Sequence, residues 1–159
     1  MNQIYKKLEK VVINVGTGRL SSQANFDKVL PELMKELSMI TGQKPSIRPA
    51  KQSIAGFKLR TGTVVGLKTT LRSKRMGEFL NKLINVALPR LRDFRGLKKE
   101  IVDEKGNLTI GLKEHVVFPE VSTEIAKVNF GMEITIVPKI RDREKSMQLY
   151  KELKVPFSK

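Results

Sequence analysis

From Leu37 to Gly77 the chain has no Asp or Glu, yet it carries nine Lys or Arg: Lys44, Arg48, Lys51, Lys58, Arg60, Lys68, Arg72, Lys74 and Arg75. Any fold of this stretch must hold those cations without local counter-charge, and unpaired like charges repel. Such a surface is tolerated most readily when a polyanion lies against it. The stretch also contains helix, turn and strand patterns, so it does not read as a flexible tail. It predicts a folded region with a nucleic-acid-binding surface.

The rest of the chain shares the bias more weakly. The whole chain has 31 Lys and Arg against 16 Asp and Glu, a formal charge of +15 over 159 residues. Nucleic acid and an anionic membrane surface are the two partner classes this charge favours. No apolar run approaches the ~18 residues that a membrane span needs. A hydrophobic content of 40% suits a sizeable core in one domain over residues 1–159, with no linker or second domain. The absence of cysteine excludes disulfides, thiol catalysis and Cys-based zinc sites, and agrees with a cytoplasmic protein. The first seven residues, Met1 to Lys7, lack the apolar core of a signal peptide.

Periodicity places the elements. Val11, Ile13 and Val15 alternate with Lys10, Val12 and Asn14, predicting a strand over Lys10–Val15 with one buried face. Phe26, Val29, Leu30, Leu33, Met34, Leu37 and Ile40 recur at helical spacing and stop at Thr41-Gly42. Pro31 within that pattern is expected to kink the helix or delay its start. Lys44–Ala50 reads as a short strand, and Pro45 and Pro49 put it at an edge. Lys51–Gly62 has no period and reads as a loop. Thr63–Arg72 alternates, with Val65, Leu67, Thr69 and Leu71 on one face. A second helix carries Met76, Phe79, Leu80, Leu83, Ile84, Ala87 and Leu88, with Ser73 as its cap and Pro89 as its end. Asp103-Glu104-Lys105-Gly106 marks a turn before a strand over Asn107–Leu112, and Glu133–Val137 is a further strand. Asp142 can cap a last helix through about Leu153. The order β-α-β-β-α-β-β-α predicts an α+β domain with helices on one face of a mainly antiparallel sheet.

The outward strand faces sharpen the charge argument. Lys10 and Asn14 lie on the first, Lys44, Ser46 and Arg48 on the second, and Lys68, Thr70 and Arg72 on the third. If these strands are neighbours, one sheet face becomes a lattice of cations, amides and hydroxyls. Cations meet phosphates, and neutral groups bond 2′-hydroxyls and base edges. A merely solvated face is the better account of any single strand; three strands with one bias, two of them without an acid, favour the RNA reading. The loop carrying Lys51, Gln52, Ser53, Ile54, Ala55, Gly56, Phe57, Lys58 and Arg60 is a second candidate, because long structureless loops are usually functional or disordered. Phe57 there either stacks on a sugar or base, or tucks into the core. Arg90, Arg92 and Arg95 form a third group, suited to RNA backbone or a protein, unless Asp93 pairs with one of them and Phe94 merely anchors a turn.

Enzymatic signals are weak. Gly16-Thr17-Gly18 follows a strand but lacks the third glycine of a dinucleotide loop, since position 21 is Ser21. A nucleotide-using transferase built on that turn is the rival enzyme reading; a free RNA chaperone is the rival binding reading. The single histidine, His115, reads as structural, and the scattered acids suggest no metal cluster or cofactor.

Several motifs occur in a telling order: Lys10-Val-Val-Ile-Asn-Val-Gly16, Ile40-Thr-Gly-Gln-Lys-Pro45, Ala50-Lys-Gln-Ser-Ile-Ala-Gly-Phe-Lys-Leu-Arg60, Thr70-Leu-Arg72, Ala87-Leu-Pro-Arg-Leu-Arg-Asp-Phe-Arg-Gly96 and Gly131-Met-Glu-Ile-Thr-Ile-Val137. Together they resemble the universal large-subunit ribosomal protein family "L-five", bacterial type, over nearly the whole chain. The resemblance implies a non-enzymatic, ribosome-bound protein. It would bind 5S rRNA in the central protuberance, contact large-subunit rRNA and the elbow of P-site tRNA, and join an intersubunit bridge with a small-subunit protein. By motif, Asn14, Gln43, Thr70 and Arg72 match 5S-binding residues, and Lys51–Arg60 matches the tRNA-facing loop. Lys10, Lys44, Arg48 and Lys68 join the 5S surface through the strand pattern. The family commonly has a further helical segment before the first strand, and an acidic residue where this chain has Arg19; the local contact there is expected to differ.

Overall fold

The computed structural model describes residues 3–21, 25–57, 59–121, 126 and 128–158, without the side chains of Gln3, Arg19 and Phe57. Five strands, β1 (Leu8–Gly16), β2 (Ser46–Pro49), β3 (Val64–Leu71), β4 (Leu108–Leu112) and β5 (Met132–Pro138), form one sheet in the order β2-β3-β1-β5-β4. Every pairing is antiparallel. β2 lies at an edge, as its prolines require. The main helices are α2 (Phe26–Thr41), α3 (Ser73–Lys82) and α4 (Arg143–Glu152); a short α1 (Gly18–Ser21) follows β1.

The period-2 faces fall as expected. Val11, Ile13, Val15, Leu67, Leu71, Leu108, Ile110, Ile134 and Ile136 are buried beneath Leu33, Leu37 and Ile40 of α2, Phe79 and Leu80 of α3, and Leu149 and Tyr150 of α4 in one continuous core. Burying each such aliphatic side chain contributes about 1.5–3 kcal/mol. The helices thus cover one sheet face, and the other is left open. Among the described residues no helix is long and apolar enough to cross a membrane.

Local chemistry ends the helices. Gly42 closes α2 in the left-handed conformation (φ 66°), its N–H donating to the Ser38 carbonyl at 2.8 Å. Lys82 reaches across from α3 and donates to the Ile40 carbonyl at 2.7 Å, while pairing with Glu120. Asp142 caps α4 by accepting from the Lys145 N–H at 2.8 Å. Pro31 neither delays nor divides α2, which runs continuously from Phe26. Ser73 does not cap α3: it is itself the first helical residue, with φ 50°, and Arg72 precedes it without a side-chain cap bond. Beyond Lys82 the helix widens into a π turn over Leu83–Ala87, which carries the apolar face onward to Leu88.

The Asp103–Gly106 turn anchors the far side of the core. Asp103 Oδ1 accepts from the Asn107 N–H at 2.8 Å, and Oδ2 from the Asn107 amide at 2.7 Å. Desolvation pushes the exposed Asp103 carboxyl up, but the Asn107 bonds, with the Lys105 N–H and charge, outweigh it and hold the group below its ordinary value. The Tyr150 hydroxyl donates to the Gly106 carbonyl at 2.6 Å and lies 3.2 Å from the Ile136 carbonyl, joining α4 to this turn and to β5. Burial raises the phenol well above its usual range.

Candidate nucleic-acid interface

Strand register assembles the open face row by row. One row runs Ser46, Lys68, Asn14, Glu133 and Gly111. The next runs Thr70, Val12, Thr135 and Thr109, and on the other side Arg48, Gly66 and Gly16 lie abreast. Arg72 stands exposed just past the end of β3. The three strands that bear the predicted cations are therefore consecutive, as a continuous lattice requires.

Among the described residues, the Asn14 amide, Lys68 ammonium, Thr70 hydroxyl, and Arg48 and Arg72 guanidinium groups have no side-chain hydrogen-bond or ion-pair partner. Asn14, Lys68 and Thr70 are half-buried by their strand neighbours, so their polar ends are positioned rather than free to sweep. Lys44 is exposed just before β2. Ser46 differs, because its hydroxyl donates to the Lys68 carbonyl at 3.0 Å.

Two members of the predicted surface are engaged internally. The Lys10 ammonium pairs with Glu9 at 2.9 Å, and Arg141 approaches the other Glu9 oxygen at 3.3 Å. The Lys10 hydrogen bond and charge, assisted by Arg141, hold the Glu9 carboxyl below its ordinary value. Lys10 is thus a compensated cation. Gln43 is held at both ends of its amide: Nε2 donates to the Thr70 carbonyl at 3.2 Å, and Oε1 accepts from Arg75 Nη1 at 3.2 Å. The face also extends further than the first three strands. Glu133, Thr135 and Thr109 lie on it, the two threonine hydroxyls 3.2 Å apart. Their strand parity in Asn107–Leu112 and Glu133–Val137 carried that signal.

Lys51–Gly62 is not a structureless loop. It continues the β2–β3 hairpin, with reciprocal Ile54 and Leu59 backbone bonds of 2.9 and 3.1 Å. Ser53 Oγ accepts from the Thr61 N–H at 2.9 Å and sits 3.0 Å from the Thr61 hydroxyl. Ala55–Phe57 forms a 3-10 turn at the tip. Lys51, Gln52, Ser53, Ile54, Ala55, Gly56 and Arg60 are all exposed. Lys58 and the Phe57 side chain lie outside the described residues, as does the Arg19 side chain.

The arginine turn lies beyond the π segment, apart from the strands of the open face. Arg90 reaches the Val117 carbonyl at 3.5 Å; Arg92 and Arg95 are exposed. Asp93 pairs with none of them among the described residues and adopts φ 52°, while Phe94 packs against the core. The turn is clasped by the C-terminal segment, the Leu97 N–H donating to the Pro156 carbonyl at 2.8 Å and the Ser158 N–H to the Leu97 carbonyl at 2.9 Å.

The remaining enzyme-like features are structural. Thr17 is fully buried, its N–H bonded to the Val65 carbonyl at 3.0 Å, so the Gly16-Thr17-Gly18 turn is tied to β3. His115 is fully buried, stacked on Phe130 with ring centroids 3.8 Å apart and Nε2 2.9 Å from Glu36.

Comparison with known proteins decides the family. Residues 5–60 match the model for ribosomal protein L5, and residues 64–157 match the model for the C-terminus of the same ribosomal protein family. The chain belongs to the ribosomal protein L5 family. It is 47% identical over 153 residues to the large ribosomal subunit protein uL5 of Ligilactobacillus salivarius, covering 96% of this chain and 83% of that one. It is 46% identical to the corresponding protein of Oceanobacillus iheyensis, covering 96% and 84%. As an L5-family member it is a non-enzymatic, ribosome-bound protein of the large subunit, with ribosomal RNA and ribosomal proteins as partners. The L5 family models divide the chain between β2 and β3, within the hairpin that joins them.

Proposed function

We propose that the open sheet face seats 5S rRNA in the central protuberance, with Asn14, Lys68, Thr70, Arg72, Arg48 and Lys44 as its direct contacts. The observation that carries this reading is the set of positioned polar groups on three adjacent strands that have no side-chain partner among the described residues. Exposed cations neutralise phosphates, and the Asn14 and Thr70 side chains suit 2′-hydroxyls and base edges. The Lys51–Arg60 hairpin faces the elbow of P-site tRNA. The turn bearing Arg90, Arg92 and Arg95 contacts large-subunit rRNA or a neighbouring protein, and the domain takes part in an intersubunit bridge.

Selection of 5S rRNA from total RNA at physiological salt tests the main claim; recovery of RNA without enrichment of 5S would overturn it. Arg72→Ala is expected to weaken 5S binding by about 1–3 kcal/mol, the value of a charge-assisted contact. Native affinity in that variant would remove Arg72 from the surface. Replacing Gln52–Lys58 with Gly and Ser is expected to spare 5S binding and weaken tRNA engagement by ribosomes carrying the variant. Loss of 5S binding instead would show that hairpin and sheet act as one surface.

A further inference from the structure

The helices do not cover their side of the sheet as far as its β2 edge. Ile47 opposes Leu67 in the β2–β3 register, so its side chain points to the core side. Leu67 is 1% exposed there and Ile47 is 42% exposed. Between α2 and β2 lies a groove of about 850 Å³, walled by Leu30, Pro31 and Met34 of the helix and by Ile47. Leu30 and Met34 pack against the core but are only partly buried. The polar groups of the wall are already spent. Ser38 Oγ donates to the Met34 carbonyl at 2.6 Å, the Gly42 N–H donates to the Ser38 carbonyl at 2.8 Å, and both ends of the Gln43 amide are engaged. Free charge stands on the rim. Lys35 and Lys44 are exposed, and among the described residues neither pairs with a carboxylate; Asp27 lies apart from them in the first turn of α2.

We propose that this groove docks a segment of a neighbouring ribosomal protein, one that presents a large apolar side chain next to a carboxylate. The proposal rests on membership of the L5 family and not on the 5S reading of the open face, which lies on the other side of the sheet. A wall whose donors and acceptors are spent cannot read the edge of a base, whereas an aliphatic or aromatic side chain needs no hydrogen bond there. Such a side chain would cover Ile47 and the open sides of Leu30 and Met34, completing the apolar layer at this edge. The flexible Met34 thioether can adapt to its shape. Lys35 and Lys44 set the place of the carboxylate, on the part of the rim beyond the middle of α2. Addition of a strand is disfavoured, because Pro45 and Pro49 have no N–H and leave the free edge of β2 poor in donors. The partner is therefore held by side chains that enter the groove and not by a backbone ladder.

The test replaces Ile47 by the photo-crosslinker p-benzoylphenylalanine in the full chain and assembles that chain into large ribosomal subunits. Irradiation is expected to join it to a single ribosomal protein, at an apolar residue with a carboxylate close by in sequence. A crosslink to RNA, a crosslink to a second copy of this chain, similar yields with many proteins, or no product at all would overturn the proposal. In the same background Met34→Glu puts a charge inside the groove and is expected to lower the crosslink yield about tenfold or more. Lys35→Glu, on the exposed rim, is expected to lower it severalfold, whereas Lys28→Glu, exposed on α2 outside the groove, leaves it unchanged. Native yield in both Met34→Glu and Lys35→Glu would remove the docking site, and an equal loss in Lys28→Glu would remove the role of the rim. Thermal unfolding of each free variant separates a lost contact from a lost fold; if Met34→Glu unfolds, the exposed Lys35→Glu decides. Both variants are expected to bind 5S rRNA as the native chain does. Loss of that binding in a folded variant would make the groove part of the RNA surface and overturn the proposal. Failure of the native chain to select 5S rRNA would instead sink the reading of the open face and leave the crosslink to decide this one.

Discussion

Raising monovalent salt from about 50 to about 200 mM is expected to weaken RNA binding several-hundred-fold or more, if roughly six phosphates are neutralised. The cations available for those contacts are Lys44, Arg48, Lys68, Arg72 and Arg75 on or beside the sheet. Each phosphate contact releases condensed counterions, so affinity falls as a power of the salt concentration, with an exponent near the number of contacts. Lys10 is left out of that set because Glu9 already answers its charge. Fluorescence anisotropy of labelled 5S rRNA across a salt series would measure the exponent. A flat dependence would mean that the acid-free stretch does not work through phosphates at all.

A large stability loss is expected at Gly106. An added Cβ there would lie 2.1 Å from Ser146 Oγ, 2.7 Å from its Cβ and 2.9 Å from the Asp142 carbonyl oxygen. A hydroxyl can rotate away, but a Cβ and a main-chain oxygen at the start of α4 cannot. The backbone also has φ 79° there, which L side chains resist. Strain and overpacking together put Gly106→Ala at about 2–5 kcal/mol, a fall in Tm on the order of 10 °C. Gly42→Ala is the matched control, with φ 66° but nothing within 4 Å of the added atom. It should lose only about 1 kcal/mol from backbone strain. Equal losses at both positions, measured by chemical denaturation, would show that the turn gives way without cost and that α4 is not fixed by it.

What the sequence conveyed follows from where periodicity has meaning. Alternation in Lys10–Val15 and Thr63–Arg72 identified the buried faces, and with them the outward Asn14, Lys68 and Thr70. The apolar spacing from Phe26 to Ile40 found α2, and Gly42 found its end. Pattern reading was weaker where one residue type suits two jobs. Ser73 is a common cap residue, yet here the chain leaves β3 in extended form at Arg72 and turns at Ser73 itself, so the side chain is misplaced for capping. The hairpin beyond β2 has no apolar alternation because both its faces are exposed; its order comes from backbone and hydroxyl bonds that leave no hydropathy trace. Gln43 shows the same limit. In a connection between elements no period tells where a side chain points, and its partners are 27 and 32 residues further along the chain.

Glu133 stands across β1 from Lys68, in the same row, with Asn14 between them. The open face is thus lopsided in charge, with cations over β2 and β3 and a carboxylate over β5. A strand of RNA laid on it would feel a sideways pull as well as a downward one. The sheet can therefore behave as a compass needle does, setting the heading of its polyanion before any single base is read.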